Sequence, residues 1–173
     1  MRKQKGFSLI ELLIVVAIIL IIAAIAVPSL LRSRMVANES AAASTTRTLN
    51  TAEATYNSTW GIGYAANIAS LGTGTGASGV CTPASGNACL IDDALTTGVK
   101  QGYDYNADGK AGAGSISNPF TSFVASAIPQ SKNNTGNRDF CSTPDMVIRW
   151  QVAGGTAITV VSTCLGLKPL QNN

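Results

Sequence analysis

From Leu12 to Val27 sixteen consecutive residues are apolar, and between Phe7 and Leu31 only Ser8, Glu11, Pro28 and Ser29 interrupt the run. A stretch of that length, with a lone carboxylate just inside its start, is about what an α-helix needs to cross a bilayer. Beyond Pro28 the pattern turns periodic. Leu31, Met35, Ala42, Leu49, Ala52, Tyr56 and Trp60 follow steps of three, four and seven, which places them on one helical stripe. Arg32, Arg34, Asn38, Glu39, Arg47 and Glu53 form the polar remainder. Neither a glycine nor a second proline occurs between Pro28 and the pair Gly61 and Gly63, so one helix is predicted from Phe7 to about Thr59, rising about 80 Å and stopped by that glycine pair. Pro28 lacks a backbone donor and is expected to kink or loosen it.

After the helix the alternation shortens. Tyr64 to about Gly98 is rich in Gly, Ala, Ser and Thr, with Leu71 to Gly79 reading as a loop and Asp92 to Gly98 as a short helix with an acidic start and a glycine stop. Strands are predicted at Val99–Asn106, Thr121–Ala127, Arg138–Ser142, Val147–Val152 and Ala157–Thr163, separated by Gly, Pro, Asn and Asp clusters. In the fourth, Ile148, Trp150 and Val152 should face the helix, with Val147, Arg149 and Gln151 outward. The fold class is therefore α+β: a long N-terminal helix, half membrane-spanning and half amphipathic, packed on a C-terminal antiparallel sheet. With 173 residues and the anchor set aside, there is material for one modest head and not for a two-domain enzyme.

The formal charge of +3 lies in the first five residues, because without Arg2, Lys3 and Lys5 the basic and acidic residues balance. Basic residues at that end keep it in the cytoplasm and send everything beyond the anchor across the membrane. The four cysteines then lie in an oxidising compartment, where three pairings are possible. Cys81 with Cys89 and Cys141 with Cys164 is favoured: the first would clamp the Gly/Ser/Ala loop and the second would join the start of one predicted strand to the end of another. A zinc site is disfavoured, since the chain has no histidine and no cysteines two to four residues apart.

A secretory signal has its small-residue cleavage site after the apolar core. Here the small residue, Gly6, precedes it, so a cut there would remove the basic leader and leave the anchor in place. The run Lys5-Gly6-Phe7-Ser8-Leu9-Ile10-Glu11-Leu12 is similar to the processing site of type IV pilins and related pseudopilins. That resemblance implies cleavage between Gly6 and Phe7 by a membrane peptidase that also N-methylates Phe7, and a division into leader (1–6), membrane and polymerisation half of the helix (7–31) and globular head (32–173). It further implies a homopolymer built through the N-terminal helices, with the prepilin peptidase/methyltransferase and the inner-membrane pilus assembly machinery as partners. The precursor would reside in the inner membrane and the product in an extracellular filament for adhesion or motility. A pseudopilin of type II secretion and a monomeric membrane-anchored binding protein are the rival readings.

Two residues carry the expected assembly chemistry. An ionised carboxylate in hydrocarbon is costly, so Glu11 either snorkels to the interface or receives the Phe7 amine of an adjacent subunit. Pro28 matches the helix-breaking proline of such pilins and is assigned to assembly, beside the plain reading of a kink where the anchor ends. Asp104-Tyr105-Asn106-Ala107-Asp108-Gly109 opens like a calcium loop, which the pseudopilin resemblance keeps open, but Ser115 stands where the closing glutamate belongs. A strand ending in an Asp-Gly turn is the better reading, and no metal or other cofactor is expected. Gly72, Gly74 and Gly76 lack the lysine-serine pair of a phosphate loop, and Tyr56, Trp60, Phe123, Phe140 and Trp150 read as core. Without histidine or a convincing carboxylate pair, catalysis is not expected.

Overall fold

The computed structural model describes residues 7–74 and 81–171. The leader with Gly6, and the part of the glycine-rich loop that holds Gly76 and Gly79, lie outside them. The chain divides into two compact units, one ending at Arg34 and the other beginning at Met35, and helix α1 (Leu9–Trp60) contributes to each. It stops one residue after the expected limit, where Gly61 and Gly63 take φ of +66° and +86°. At Gly63 a Cβ would collide with the Phe120 backbone, whose carbonyl accepts from the Tyr64 amide at 3.1 Å. That close approach joins the end of α1 to the loop before the third strand.

The second unit has the α+β architecture expected from the pattern. Six antiparallel strands lie in sequence order: β1 (Val99–Lys100), β2 (Tyr103–Lys110), β3 (Ser122–Pro129), β4 (Arg138–Ser142), β5 (Arg149–Val152) and β6 (Lys168–Pro169). The part of α1 from Met35 onward packs on one face. Ala42, Leu49, Ala52 and Tyr56 bury against Tyr103, Tyr105, Phe123, Ala125 and Phe140. Each large apolar side chain taken out of water there contributes roughly 1.5–3 kcal/mol before entropy is counted. Two short helices, α2 (Ile68–Leu71) and α3 (Asp93–Thr96), add Leu71 and Leu95 to the same cluster, each capped at its start by Asn67 or Asp92.

Four sequence expectations are corrected. The predicted strand Val99–Asn106 is a hairpin, because Gln101 and Gly102, both at positive φ, form a tight turn that pairs Lys100 with Tyr103. Strand β2 then runs through Asp108 and Gly109 to Lys110, paired rung by rung with β3, so the Asp-Gly turn is absent. Val152 is 66% exposed, since it pairs with Arg138 on the last rung of the β4–β5 ladder, past the core that Phe140 and Trp150 close. Finally, Ala157–Thr163 is not a strand. The chain crosses the outer face of the sheet instead and forms helix α4 (Val161–Leu165), where Ile158, Cys164 and Leu167 cluster on Cys141. Strand β3 is buried on both faces, at Phe123, Val124, Ala125, Ser126 and Ala127: the α1 stripe clusters with Phe123, Ala125 and Ala127 on one, and α4 packs on the other. The place beside β5 goes to Lys168–Pro169.

Candidate functional site

The first unit presents its apolar surface outward. Every residue from Leu12 to Val27 except Ala23 is exposed, with Ile25 at 74%. An uncovered face of this extent belongs against lipid or other protein. At its start, the Ser8 amide donates to Glu11 Oε2 at 2.9 Å, and the Leu12 amide donates to the Ser8 carbonyl. This is half of a capping box, in which the carboxylate on the first turn reaches back to the residue before the helix. The Ser8-x-x-Glu11 spacing that produces it was present in the sequence and was not read as a cap. Glu11 remains exposed, so the same carboxylate can meet a positive charge from outside.

Pro28 lies inside α1, which continues through it. The missing donor leaves the Ala24 carbonyl without its usual partner. One turn further on, the Ser33 hydroxyl donates to the Ser29 carbonyl at 3.0 Å.

In the second unit, Cys81 is joined to Cys89 and Cys141 to Cys164, with Cα separations of 6.0 and 5.9 Å. The latter pair is completely buried and ties α4 to β4. Asp104, Asn106 and Asp108 alternate along one face of β2 and are engaged locally: Gln130 donates to Asp104, and Asn106 and Lys110 donate to Asp108. They form no loop, and among the described residues no three carboxylate or thiol side chains gather as a metal site.

The chain also buries charges that sequence reasoning placed elsewhere. Glu53, assigned to the polar side of the helix, has no exposed surface. Four residues after Leu49 and three before Tyr56, it shares their stripe, and that spacing was the signal for it. Its Oε2 accepts the Ala65 amide at 2.8 Å, so it pins the loop that follows α1, while Oε1 has no partner among the described residues. Burial raises its pKa from 4.5 to about 7, against the lowering effect of the Ala65 hydrogen bond and with a small further push from Asp108. The folded state therefore binds more protons than the unfolded chain between those values, and stability falls as pH rises through that window. Glu53→Gln, which keeps an acceptor for Ala65, is expected to remove roughly 3 kcal/mol of this pH dependence. Melting temperatures of wild type and variant across that window check it, and parallel curves would mean that Glu53 is not the group responsible. Asp139, buried on the outer face, accepts from the Gly154 amide at 2.8 Å and from Gln151, holding the segment after β5.

An exposed apolar helix with a carboxylate at its first turn, continued by a disulfide-bearing α+β head, defines a membrane-length anchor joined to a pilin-like domain. Residues 1–27 match the family described as the prokaryotic N-terminal methylation motif. The chain is also 62% identical over 39 residues to the type IV wide pilus major component PilA4 of Thermus thermophilus, a stretch that covers 22% of this chain and 30% of that protein. No solved structure matches the chain. In its N-terminal segment and in its architecture the protein is thus similar to type IV pilins, a family of structural subunits.

Proposed function

We propose that this chain is the structural subunit of a type IV pilus. The observation that carries the reading is the glycine-terminated basic leader set directly before an exposed, membrane-length apolar helix with Glu11 at its first turn. In this reading residues 1–6 are the leader, 7–31 the membrane and polymerisation half of the helix, and 32–173 the head. The precursor waits in the inner membrane, the prepilin peptidase/methyltransferase cuts after Gly6 and methylates Phe7, and the assembly machinery draws the subunit into an extracellular filament used for adhesion or motility. Helices that leave lipid for a filament core exchange one apolar surround for another, so register must come from polar groups. Glu11, released from its own Ser8 amide, receives the Phe7 amine of a neighbour. Pro28 lets the anchor adjust, and the two disulfides keep the exported head folded.

Mass spectrometry of the mature chain is expected to give an N-terminal methylated Phe7. Gly6→Val should leave the leader attached, since a branched side chain occupies the position that a peptidase reading glycine holds open. A mature N-terminus still at Met1, or one beyond Val27, would remove the processing step and with it the filament.

A further inference from the structure

Between the end of α1 and the start of α2 the chain forms a strap, residues 61–66, bounded by Gly61 and by the Asn67 cap. Two backbone hydrogen bonds hold its middle to the loop before β3: the Tyr64 amide donates to the Phe120 carbonyl at 3.1 Å, and the Phe120 amide to the Ile62 carbonyl at 3.3 Å. The Tyr64 ring packs on Phe123, with centroids 4.8 Å apart. Further along, the strap lies directly on β2, since a Cβ at Gly109 would come within 2.7 Å of the Ala65 carbonyl oxygen. Ala65 is fully enclosed, and its amide donates to Glu53 Oε2. One side chain that can ionise therefore ties the strap to the helix.

The surroundings of that carboxylate serve its neutral form better than its charged one. No cation pairs with Glu53 among the described residues. The amide one turn earlier on its stripe, Asn50 Nδ2, is committed to Ser142 Oγ at 2.8 Å. Two titratable groups face it. From α1 comes the Tyr56 phenol, already donating to the Ser85 carbonyl at 2.6 Å, and from β2 comes Asp108, a like charge that Lys110 approaches to 3.3 Å. Strand β3 and helix α2 contain no titratable side chain, and Asp139 of β4 lies on the outer face of the sheet. A buried neutral carboxyl leaves one polar atom unmatched, whereas an ionised one leaves a whole charge with a single donor, which is far more costly and favours any motion that brings water in.

We propose that residues 61–66 are a pH-sensitive strap, closed over neutral Glu53 and opened when Glu53 ionises. Helix α1 and the sheet are fixed by ladders of hydrogen bonds, but the strap gives way by releasing the Ala65 amide and the Phe120 pair, pivoting at Gly61 and Gly63, which already sit at positive φ, and at Asn67. Opening hydrates Glu53 and uncovers the ring of Phe123. Closed, the carboxyl titrates at about 7; hydrated, it returns to about 4.5, so the closed form binds more protons between those values. Opening then becomes easier as pH rises through that window and levels off above it. Such a strap belongs to the head alone and works whether or not the chain assembles.

Hydrogen exchange of the full chain in detergent micelles, read by mass spectrometry and corrected for intrinsic base catalysis, tests it. Protection of 61–66 is expected to fall roughly 40-fold between pH 5 and pH 7 and to change little above about pH 8. It should also stay at least tenfold below that of β3 and β4 and respond less to low urea, because a local opening exposes little surface. Glu53→Gln should flatten the pH profile of the strap. Asp108→Asn, which removes the facing like charge, should shrink the fall and bring its plateau to lower pH. A fall that persists in Glu53→Gln overturns the proposal, and so does strap protection equal to that of β3 and β4 at every pH and urea concentration, since only unfolding of the whole head would then be seen. Should Glu53→Gln fail to fold, an Asp108→Asn profile identical to that of the unsubstituted chain overturns it.

Discussion

Glu11→Val is expected to leave the precursor inserted and cleaved while cutting filament yield roughly a hundredfold or more. Valine suits hydrocarbon at least as well as a carboxylate, so membrane content should hold. In the proposed filament core, however, the neighbour's Phe7 amine would then be buried without its counter-charge, and breaking such a pair costs about 3–5 kcal/mol. Loss of the cap between Glu11 and the Ser8 amide, seen in the single chain, is worth only about 0.5–2 kcal/mol and cannot by itself account for a fall of that size. Immunoblots of membranes and of sheared filaments separate the two quantities. Mixing variant with wild-type subunits sharpens the result, since a variant chain still brings an amine to a neighbour while failing to receive one. Normal filament yield from Glu11→Val alone would reduce the carboxylate to a capping, interfacial residue.

The second large effect is on stability. Cys141→Ser with Cys164→Ser is expected to destabilise the head by roughly 3–4 kcal/mol, against roughly 2–3 kcal/mol for Cys81→Ser with Cys89→Ser, because the bonds span sequence separations of 23 and 8 residues. Burial widens the gap. Cys141 and Cys164 are fully enclosed and hold α4 on the outer face, whereas Cys81 and Cys89 are partly exposed. Thermal denaturation of the detergent-solubilised mature chain should show a drop of about 10 °C or more for the longer bond. A larger drop for the Cys81–Cys89 pair would mean that the loop, and not the α4 attachment, limits the fold.

The same contrast governs how the head can vary. The loop containing Cys81 and Cys89 hangs on α2 through backbone hydrogen bonds such as Ala88 to Ser70 and Leu90 to Leu71, with the Tyr56 hydroxyl donating to the Ser85 carbonyl. Changes in its exposed residues touch few core side chains. Changes along the buried stripe of α1 touch the sheet directly.

What could be read from sequence alone was whatever depends on neighbours along the chain. Sixteen apolar residues in a row, a three-four-seven stripe and a glycine pair define α1 and its end, because helix hydrogen bonds and helix stops are local. The Asp92 cap of α3 and strands β3 and β4 follow for the same reason. The tertiary structure decided the rest. Whether Ala157–Thr163 joins the sheet depends on the need of β3 for cover on its second face, a demand made by residues some thirty positions away. Which group meets Glu53 once its stripe is buried depends on the Ala65 amide arriving beside it, and whether Asp108-Gly109 turns or continues depends on β3 offering a full ladder of partners. Local propensity is written in consecutive residues; burial, pairing and charge placement are set by which distant surfaces compete for the same space.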